Sequence, residues 1–201
     1  MLDGGFVKKK LSQSLNHFPT VADVVGLTAS IMTKSDLPTK ELFRIYYYDA
    51  PPFLGKVTNP LSGAVRDLSL TQQAKENMSL IDSLEMQPDF AVRRGTLLCS
   101  GWELGRAALQ RLKHTPQGQP HVITERDLVP SIAQKGVDMR IGLDISWIAL
   151  RRLAGNLVLV TGDSDFVPVV KLARKEGMRV YLEHMGHATT QLLRAHVDRI
   201  I

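Results

Sequence analysis

Cysteine is almost absent from this chain, with Cys99 as the single thiol among 201 residues. One cysteine cannot form an internal disulfide, so a disulfide-stapled scaffold is excluded. A Cys-x-x-Cys pair is also missing, and no cysteine or histidine lies at metal-ligand spacing from Cys99. These absences argue against a zinc site, and we expect Cys99 to be a small core residue.

Long apolar runs and nucleotide-binding loops are missing as well. No stretch approaches the roughly 18 apolar residues of a membrane span, and no charged-then-apolar leader opens the sequence. We therefore expect neither a membrane span nor a signal peptide, which makes the cytoplasm the default location. A Walker lysine motif and a Gly-x-Gly-x-x-Gly turn are also absent, which argues against a nucleotide cofactor.

The composition is that of a folded domain with a basic surface. Hydrophobic residues make up 44% and charged residues 22% of the chain, and the formal net charge is +5 with a pI of about 9.4. The length suits one compact domain, which we expect to span residues 1–201 with an insertion around residues 50–130. Alternating strand and helix patterns predict a mainly parallel sheet with right-handed crossovers.

Apolar periodicity, caps and turn residues place the individual elements. Helices are predicted at residues 6–17, 20–34, 70–86, 139–153, 166–176 and 189–197. Strands are predicted at residues 42–48, 157–160 and 178–182, with loops at residues 53–68 and 114–120. Residues 90–99 also alternate like a strand, with a break at Gly95.

The most informative segment is residues 161–166, Thr-Gly-Asp-Ser-Asp-Phe. It follows the apolar run 157–160, which is typical of a buried parallel strand, so Asp163 and Asp165 should emerge at the carboxyl edge of the sheet. Open α/β sheets bind their ligands at that edge, which makes the two carboxylates candidate metal ligands. The alternative is that Asp163 or Ser164 caps the helix that follows.

Further aspartates occupy positions of interest. Asp3 stands where a first strand would turn on glycines into a helix, although an ordinary turn residue fits there too. Asp144 shares the apolar face of the predicted helix 139–153, where a carboxylate requires a cation, a hydrogen-bond network or a proton. Asp138 is a further candidate ligand or the cap of that helix. Asp49 also ends a predicted strand, where turn formation is its favoured role.

Three segments of the chain resemble the acidic motifs of NYN domains, in the LabA-like branch of the PIN-like nuclease superfamily. The segments are residues 3–6 (Asp-Gly-Gly-Phe), residues 135–138 together with residues 142–144, and residues 161–166. They occur in the family's order, and the resemblance spans nearly the whole chain. It implies a Rossmann-like three-layer α/β/α domain, PIN-like in fold, that uses Mg²⁺ or Mn²⁺ for ribonuclease chemistry.

The resemblance also implies which side chains carry that chemistry. The residues that match the family's acidic positions are Asp3, Asp144, Asp163 and Asp165, with Asp138 at a recurrent motif position of less defined role. Mg²⁺ prefers oxygen ligands and keeps several waters, so a few carboxylates hold it while a water and a phosphate oxygen complete its coordination. Hydrolysis by bound metal then needs no serine, cysteine or histidine nucleophile.

Basic residues beside these motifs supply a candidate surface for single-stranded RNA. The residues that we expect to contact it are Lys8, Lys9, Lys10, Arg93 and Arg94. Such groups neutralise phosphates and give salt-dependent binding with little sequence preference. Each alone is equally well explained as part of an ordinary solvated face.

Three functions remain open from the sequence. The first is hydrolysis of RNA at the acidic positions, with His184 and His187 as outer candidates for phosphate contact or proton transfer. The second is a non-catalytic module of the same fold that binds RNA or a protein regulator. A short first strand before Asp3, and Gly5 and Phe6 where the family commonly has Asn, favour this second reading. The third is a phosphatase for small phosphomonoesters, which would not require the surplus of basic residues.

Overall fold

The chain alternates strands and helices along most of its length. The structure is a computed structural model that describes residues 1–38, 41–116 and 118–201. Its strands are β1 (Leu2–Asp3), β2 (Ile45–Asp49), β3 (Lys56–Thr58), β4 (Val65–Asp67), β5 (Phe90–Arg94), β6 (Thr96–Leu104), β7 (Leu128–Lys135), β8 (Asn156–Val160), β9 (Arg179–Glu183) and β10 (Arg199–Ile200). Its α-helices are α1 (Gly4–Leu15), α2 (Val21–Met32), α3 (Gln72–Glu85), α4 (Arg106–His114), α5 (Val137–Leu150), α6 (Val167–Lys175) and α7 (Gln191–His196).

Within the described residues, six strands form one parallel sheet in the order β10-β9-β8-β1-β2-β5. β1 lies near its centre, where Leu2 pairs with Tyr47 of β2 on one side and with Val160 of β8 on the other. The chain first winds outward through β2 and β5 and then in the opposite direction through β8, β9 and β10, as in doubly wound folds. The prediction of a mainly parallel central sheet is confirmed.

Helices cover both faces of this sheet. Apolar residues of α1, α2 and α3 form one buried core, and those of α5, α6 and α7 form the other. Because successive strand residues point to opposite faces, Tyr47 belongs to the first core and Tyr48 to the second. The three-layer α/β/α arrangement is therefore as predicted.

The turn from β1 into α1 depends on Gly4. A Cβ atom at this position would lie 2.6 Å from the backbone oxygen of Tyr48 and 2.8 Å from the ring of Tyr47. Only a residue without a side chain lets the helix begin directly against β2. Gly4 thereby fixes Asp3, the last residue of β1, at the carboxyl edge of the sheet.

The strand pattern at residues 90–99, which Gly95 interrupts, divides at that glycine between two sheets. β5 joins the central sheet, whereas β6 pairs with β7 in a separate antiparallel ribbon. A Cβ atom on Gly95 would lie 2.5 Å from Cγ2 of Val137, so the chain turns away at a point of close packing. Cys99 lies in this ribbon and is only half-buried, so the expectation that it is a core residue is wrong.

Other differences fall in the same middle third of the chain. The loop predicted at residues 53–68 contains the antiparallel pair β3 and β4, and neither α4 nor β7 was predicted. The stretch 50–130, predicted as an insertion, contributes α3 and β5 to the main fold as well as these small elements. Part of the loop predicted at residues 114–120 lies outside the described residues.

The remaining helices confirm the sequence patterns to within a few residues. Thr20, for example, caps α2 with a reciprocal pair of hydrogen bonds to Asp23, and Thr71 caps α3. None of the described helices is long and apolar enough to cross a membrane.

Candidate functional site

The centre of the sheet is where ligands are expected in this topology. β1 and β8 are neighbours, and the chain leaves them toward opposite edges of the sheet. A crevice forms outside the carboxyl ends of two such strands. Asp3 ends β1, and Asp163 follows three residues after the end of β8.

Asp3 is held in place by two hydrogen bonds. Its Oδ1 accepts from the backbone N–H of Phe6 at 3.2 Å, which caps α1, and its Oδ2 accepts from the hydroxyl of Thr161 at 3.1 Å. Burial raises the pKa of the Asp3 carboxyl above its ordinary value, and the charges of Asp138 and Asp163 raise it further. The two hydrogen bonds oppose this shift without cancelling it.

Thr161 links the two strands that border the crevice. It is fully buried, its hydroxyl donates to Asp3, and its oxygen accepts from the backbone N–H of Asp163 at 3.2 Å. Sequence analysis assigned it no role. The available signal was its position as the first residue after the apolar run, on the strand next to β1.

Asp163 and Asp165 lie in the turn that follows β8. Oδ1 of Asp163 accepts from the backbone N–H of Asp165 at 2.9 Å and caps a short 3-10 helix, Ser164–Phe166. The capping role considered from the sequence is thus real, and it leaves the second oxygen of Asp163 available. Asp165 is exposed, and its negative charge acts on Asp138.

Asp138 completes the group of interacting carboxylates. It lies in the first turn of α5, whose N-cap is Gly136 with a φ of 76°, so the alternative of Asp138 as the cap is wrong. Partial desolvation raises the pKa of Asp138, and the charges of Asp163 and Asp165 add to this. We call Asp3, Asp138, Asp163 and Asp165 the acidic cluster.

Asp144 is not brought to this cluster. Its Oδ2 accepts from the hydroxyl of Tyr48 at 3.0 Å and pairs with Nε of Arg93 at 3.0 Å. Burial raises the pKa of the Tyr48 hydroxyl, and the adjacent charge of Asp144 raises it further. Asp144 thus finds the charge partner and hydrogen bond that its place on the helix required, within the chain itself.

Three of the five predicted RNA-contacting cations are engaged inside the protein. Nζ of Lys8 lies 2.7 Å from Oδ2 of Asp49 and 2.5 Å from Oδ1 of Asn77. Arg93 pairs with Asp144. Carboxylates of the chain itself thus hold Lys8 and Arg93, and contact of these groups with phosphate stays a prediction.

Arg94 is engaged in the same way, and Lys9 and Lys10 are not. Arg94 pairs with Glu85 at 2.6 Å and with Asp82 at 2.8 Å. Lys9 is exposed and Lys10 is half-exposed, and neither forms an ion pair within the described residues. Only these two lysines of the predicted set remain available to a polyanion.

Asp49 has a larger role than the turn that the sequence suggested. It is 1% exposed, pairs with Lys8, and accepts from the backbone N–H of Ala50 at 2.8 Å. The Tyr47 hydroxyl donates to it at 3.3 Å. Burial raises the pKa of Tyr47, and the charge and hydrogen bond of Asp49 and the charge of Asp3 raise it further.

Two histidines, His184 and His187, follow β9. The ring of His187 packs over Gly162, where a Cβ atom would lie 2.5 Å from its Cδ2, and it meets Phe6 edge-on at 5.7 Å between ring centroids. His187 is exposed and borders the acidic cluster. Nδ1 of His184 is buried and has no hydrogen-bond partner in the described part of the chain.

The acidic cluster is open rather than closed around a metal position. In residues 1–38, 41–116 and 118–201, no three His, Cys, Asp or Glu side chains lie close enough together to hold an ion. The donor set nevertheless consists of carboxylates alone, which suits Mg²⁺ or Mn²⁺. Desolvation raises the pKa of Asp3 and that of Asp138, and the negative charges of neighbouring aspartates raise both further.

Comparison with known proteins bears on the same half of the chain. The NYN domain family model matches residues 102–201, which include α5, β8 and three of the four aspartates of the acidic cluster. No curated protein matches the sequence. A crystal structure of a protein of unknown function from Vibrio parahaemolyticus is similar in fold, with a TM-score of 0.53 and 15% identity, covering 100% of this chain and 88% of that one.

The similarity of the two structures supports the fold alone, because the two sequences are only 15% identical. The family match adds that NYN domains are typically nucleases of the PIN-like superfamily. It does not distinguish the LabA-like branch from others. The carboxyl-terminal part of the chain, residues 102–201, is thus similar to the NYN domain family, and the sheet order is that of a three-layer α/β fold.

Proposed function

We propose that this chain is a ribonuclease that uses Mg²⁺ or Mn²⁺ to hydrolyse phosphodiester bonds of single-stranded RNA at the acidic cluster. The observation that carries the proposal is the hydrogen-bonded link through Thr161, which joins Asp3 at the end of β1 to the turn of Asp163 after β8. Asp3, Asp138 and Asp163 belong to separate segments of the chain. Besides burial, the charges of Asp138 and Asp163 raise the pKa of Asp3, and the charge of Asp163 raises that of Asp138. The similarity of residues 102–201 to the NYN domain family supports hydrolase chemistry in general.

A divalent cation fits this cluster in charge and in donor type. None of the four aspartates forms an ion pair with lysine or arginine in the described part of the chain. Asp3 has both oxygens oriented by Phe6 and Thr161, whereas Asp163 keeps one oxygen free. When bound, such an ion neutralises phosphate charge and lowers the pKa of a coordinated water.

The chain's own residues would position the substrate around that centre. Thr161 holds Asp3 and the Asp163 backbone in register, so the two carboxylates keep a fixed relation at the mouth of the crevice. Lys9 and Lys10, on the helix that Asp3 caps, are the cations available for RNA phosphates. His187 is exposed beside Gly162, where it can contact a phosphate oxygen or the leaving group.

The direct test is cleavage of labelled single-stranded RNA with Mn²⁺, Mg²⁺ or EDTA. We expect cleavage by the parent protein with either metal, none with EDTA, and loss of cleavage in Asp163→Asn. Asp89→Asn is the matched control, because Asp89 is exposed before the amino end of β5 and has a φ of 64°, which Asn tolerates. Equal cleavage by both variants would remove Asp163 from the reaction.

A second function is favoured by one observation, the openness of the cluster. If no metal draws the carboxylates together, the protein is an RNA-binding module without hydrolysis. Mn²⁺ that binds only the folded state would raise the free energy of unfolding by about 2.7 kcal/mol at 100 times its dissociation constant. Thermal unfolding with Mn²⁺ therefore separates the two functions. A melting temperature unchanged by millimolar Mn²⁺, together with intact RNA binding, supports the non-catalytic module.

A further inference from the structure

α5 is apolar on both of its faces. The inner face packs in the core, with Val137, Ile141, Ile145 and Ile148 between 0% and 5% exposed. The opposite face is equally apolar but open. Its large side chains are Met139, Leu143, Trp147 and Leu150, which are 68%, 61%, 56% and 58% exposed.

These four residues form one continuous stripe. Their spacings of four, four and three residues place them on the same side of a helix. The small residues Gly142 and Ser146 lie in the same stripe, and no charged side chain interrupts it. A surface helix ordinarily turns charged or polar residues outward, so an outer apolar face indicates a partner.

The two small residues indicate that the partner packed on this stripe is another helix. Nothing lies within 4 Å of the position that a Cβ of Gly142 would occupy, so the chain's own packing does not require glycine there. Glycine also destabilises a helix interior relative to alanine. The hydroxyl of Ser146 donates back to the carbonyl of Gly142 at 2.8 Å, which leaves no unsatisfied donor on this face. A small residue every fourth position lets a second helix approach closely.

We propose that the outer face of α5 is the interface of a two-fold homodimer, in which α5 packs antiparallel on α5 of a second copy. The stripe is self-complementary about a point between Leu143 and Ser146. Met139 of one copy then faces Leu150 of the other, and Leu143 faces Ser146. An isologous contact of this kind uses the same patch on both subunits.

The exposed area agrees with this occupant. The four large side chains expose roughly 400–500 Å² of apolar surface, at the upper range of the largest patch on a typical monomer. A standard interface buries about 800 Å² per subunit, so the stripe forms the apolar centre of one. Arg151 lies 4.5 Å from the ring centroid of Trp147 and supplies a polar rim.

The test is the mass of the full chain in solution, measured by sedimentation equilibrium over a concentration series. We expect a dimer of the 22.3 kDa chain at micromolar concentrations. Leu143→Glu should weaken association by at least about 30-fold, the effect of one strong interface residue. Leu192→Glu is the matched control, because Leu192 is a 55% exposed leucine on a different helix, and it should dimerise like the parent.

The variant Gly142→Leu distinguishes loss of dimerisation from loss of folding. A Cβ at this position meets no atom within 4 Å in the monomer, and leucine favours the helix, so the variant should keep the parent's helical circular-dichroism spectrum and unfold cooperatively while failing to dimerise. A parent protein that stays monomeric at 100 µM by this measurement, or a Gly142→Leu variant that dimerises normally, overturns the proposal. Dimers that Leu192→Glu disrupts and Leu143→Glu does not would place the interface elsewhere.

Discussion

The hydroxyl of Thr161 donates a hydrogen bond to the carboxylate of Asp3, 158 residues away in the chain, at 3.1 Å. The same oxygen accepts from the backbone N–H of Asp163. One buried side chain therefore sets the relative positions of two members of the acidic cluster.

Replacing Thr161 with Val should destabilise the protein and disturb the acidic cluster together. The substitution keeps the shape but leaves the Asp163 N–H and an Asp3 oxygen without their partner, at a cost of about 1–3 kcal/mol. Thr161→Ser keeps the hydroxyl and should lose much less. Urea unfolding of the three proteins checks the stability, and RNA cleavage checks the site. Equal stabilities for Val and Ser would mean that the hydroxyl contributes nothing.

Asp138→Asn should stabilise the metal-free protein at neutral pH. The pKa of Asp138 is raised in the folded state, so the unfolded chain releases its proton first as the pH rises above 3.8, and ionisation then opposes folding. In EDTA, this group therefore lowers stability with rising pH until it is fully ionised in the fold. The variant should show a smaller decline in melting temperature from acidic to neutral pH.

Mn²⁺ should reverse the order of stability of the parent protein and Asp138→Asn. A bound cation favours the ionised carboxylate, so Mn²⁺ should raise the melting temperature of the parent more than that of Asp138→Asn. Identical shifts in both proteins would exclude Asp138 as a ligand. Asp89→Asn serves as the control for the loss of one negative charge far from the cluster.

Asp144→Asn should act on stability rather than on cleavage. The variant weakens the contacts to Arg93 and the Tyr48 hydroxyl, and since this pair is partly exposed the expected loss is about 0.5–1 kcal/mol. RNA cleavage should remain within a few-fold of the parent. Abolished cleavage at unchanged stability would return Asp144 to the acidic cluster.

Lys8 and Lys9 should separate structural from RNA-binding cations. Lys8→Ala leaves Asp49, whose side chain is 2% exposed, without its charge partner, and breaking such a buried pair costs about 3–5 kcal/mol. Lys9→Ala should hardly change stability but should flatten the salt dependence of RNA binding, by about 0.7 per lost phosphate contact on single strands. Unfolding curves and RNA titrations in Ca²⁺ across a salt series measure both effects. Equal unfolding curves for the two variants would show that the Lys8 pair is dispensable.

Local patterns were sufficient to predict most of the main fold. The run 157–160 gave a buried parallel strand, and Thr20 and Thr71 marked helix starts, because caps and apolar periodicity act over a few residues. The motifs around Asp3 and Asp163 were placed at the carboxyl edge by the same reasoning, since a parallel sheet brings those strand ends together. The prediction failed in the middle third of the chain. There, a ribbon such as β6 with β7 is defined by pairing across about 30 residues rather than by local preference.

Only the tertiary structure decided which charged side chains form ion pairs with each other. The sequence predicts Lys8 and Arg93 as RNA contacts and Asp144 as a metal ligand. The fold pairs Lys8 with Asp49 and Arg93 with Asp144. Ion pairs between distant segments depend on strand order and on the direction of each side chain, neither of which leaves a signal in local periodicity. The sequence alone thus determined the sheet, its carboxyl edge and the aspartates on it. Folding selected Asp138 over Asp144 for the acidic cluster, because the first turn of α5 reaches that edge while Asp144 lies against Tyr48 and Arg93.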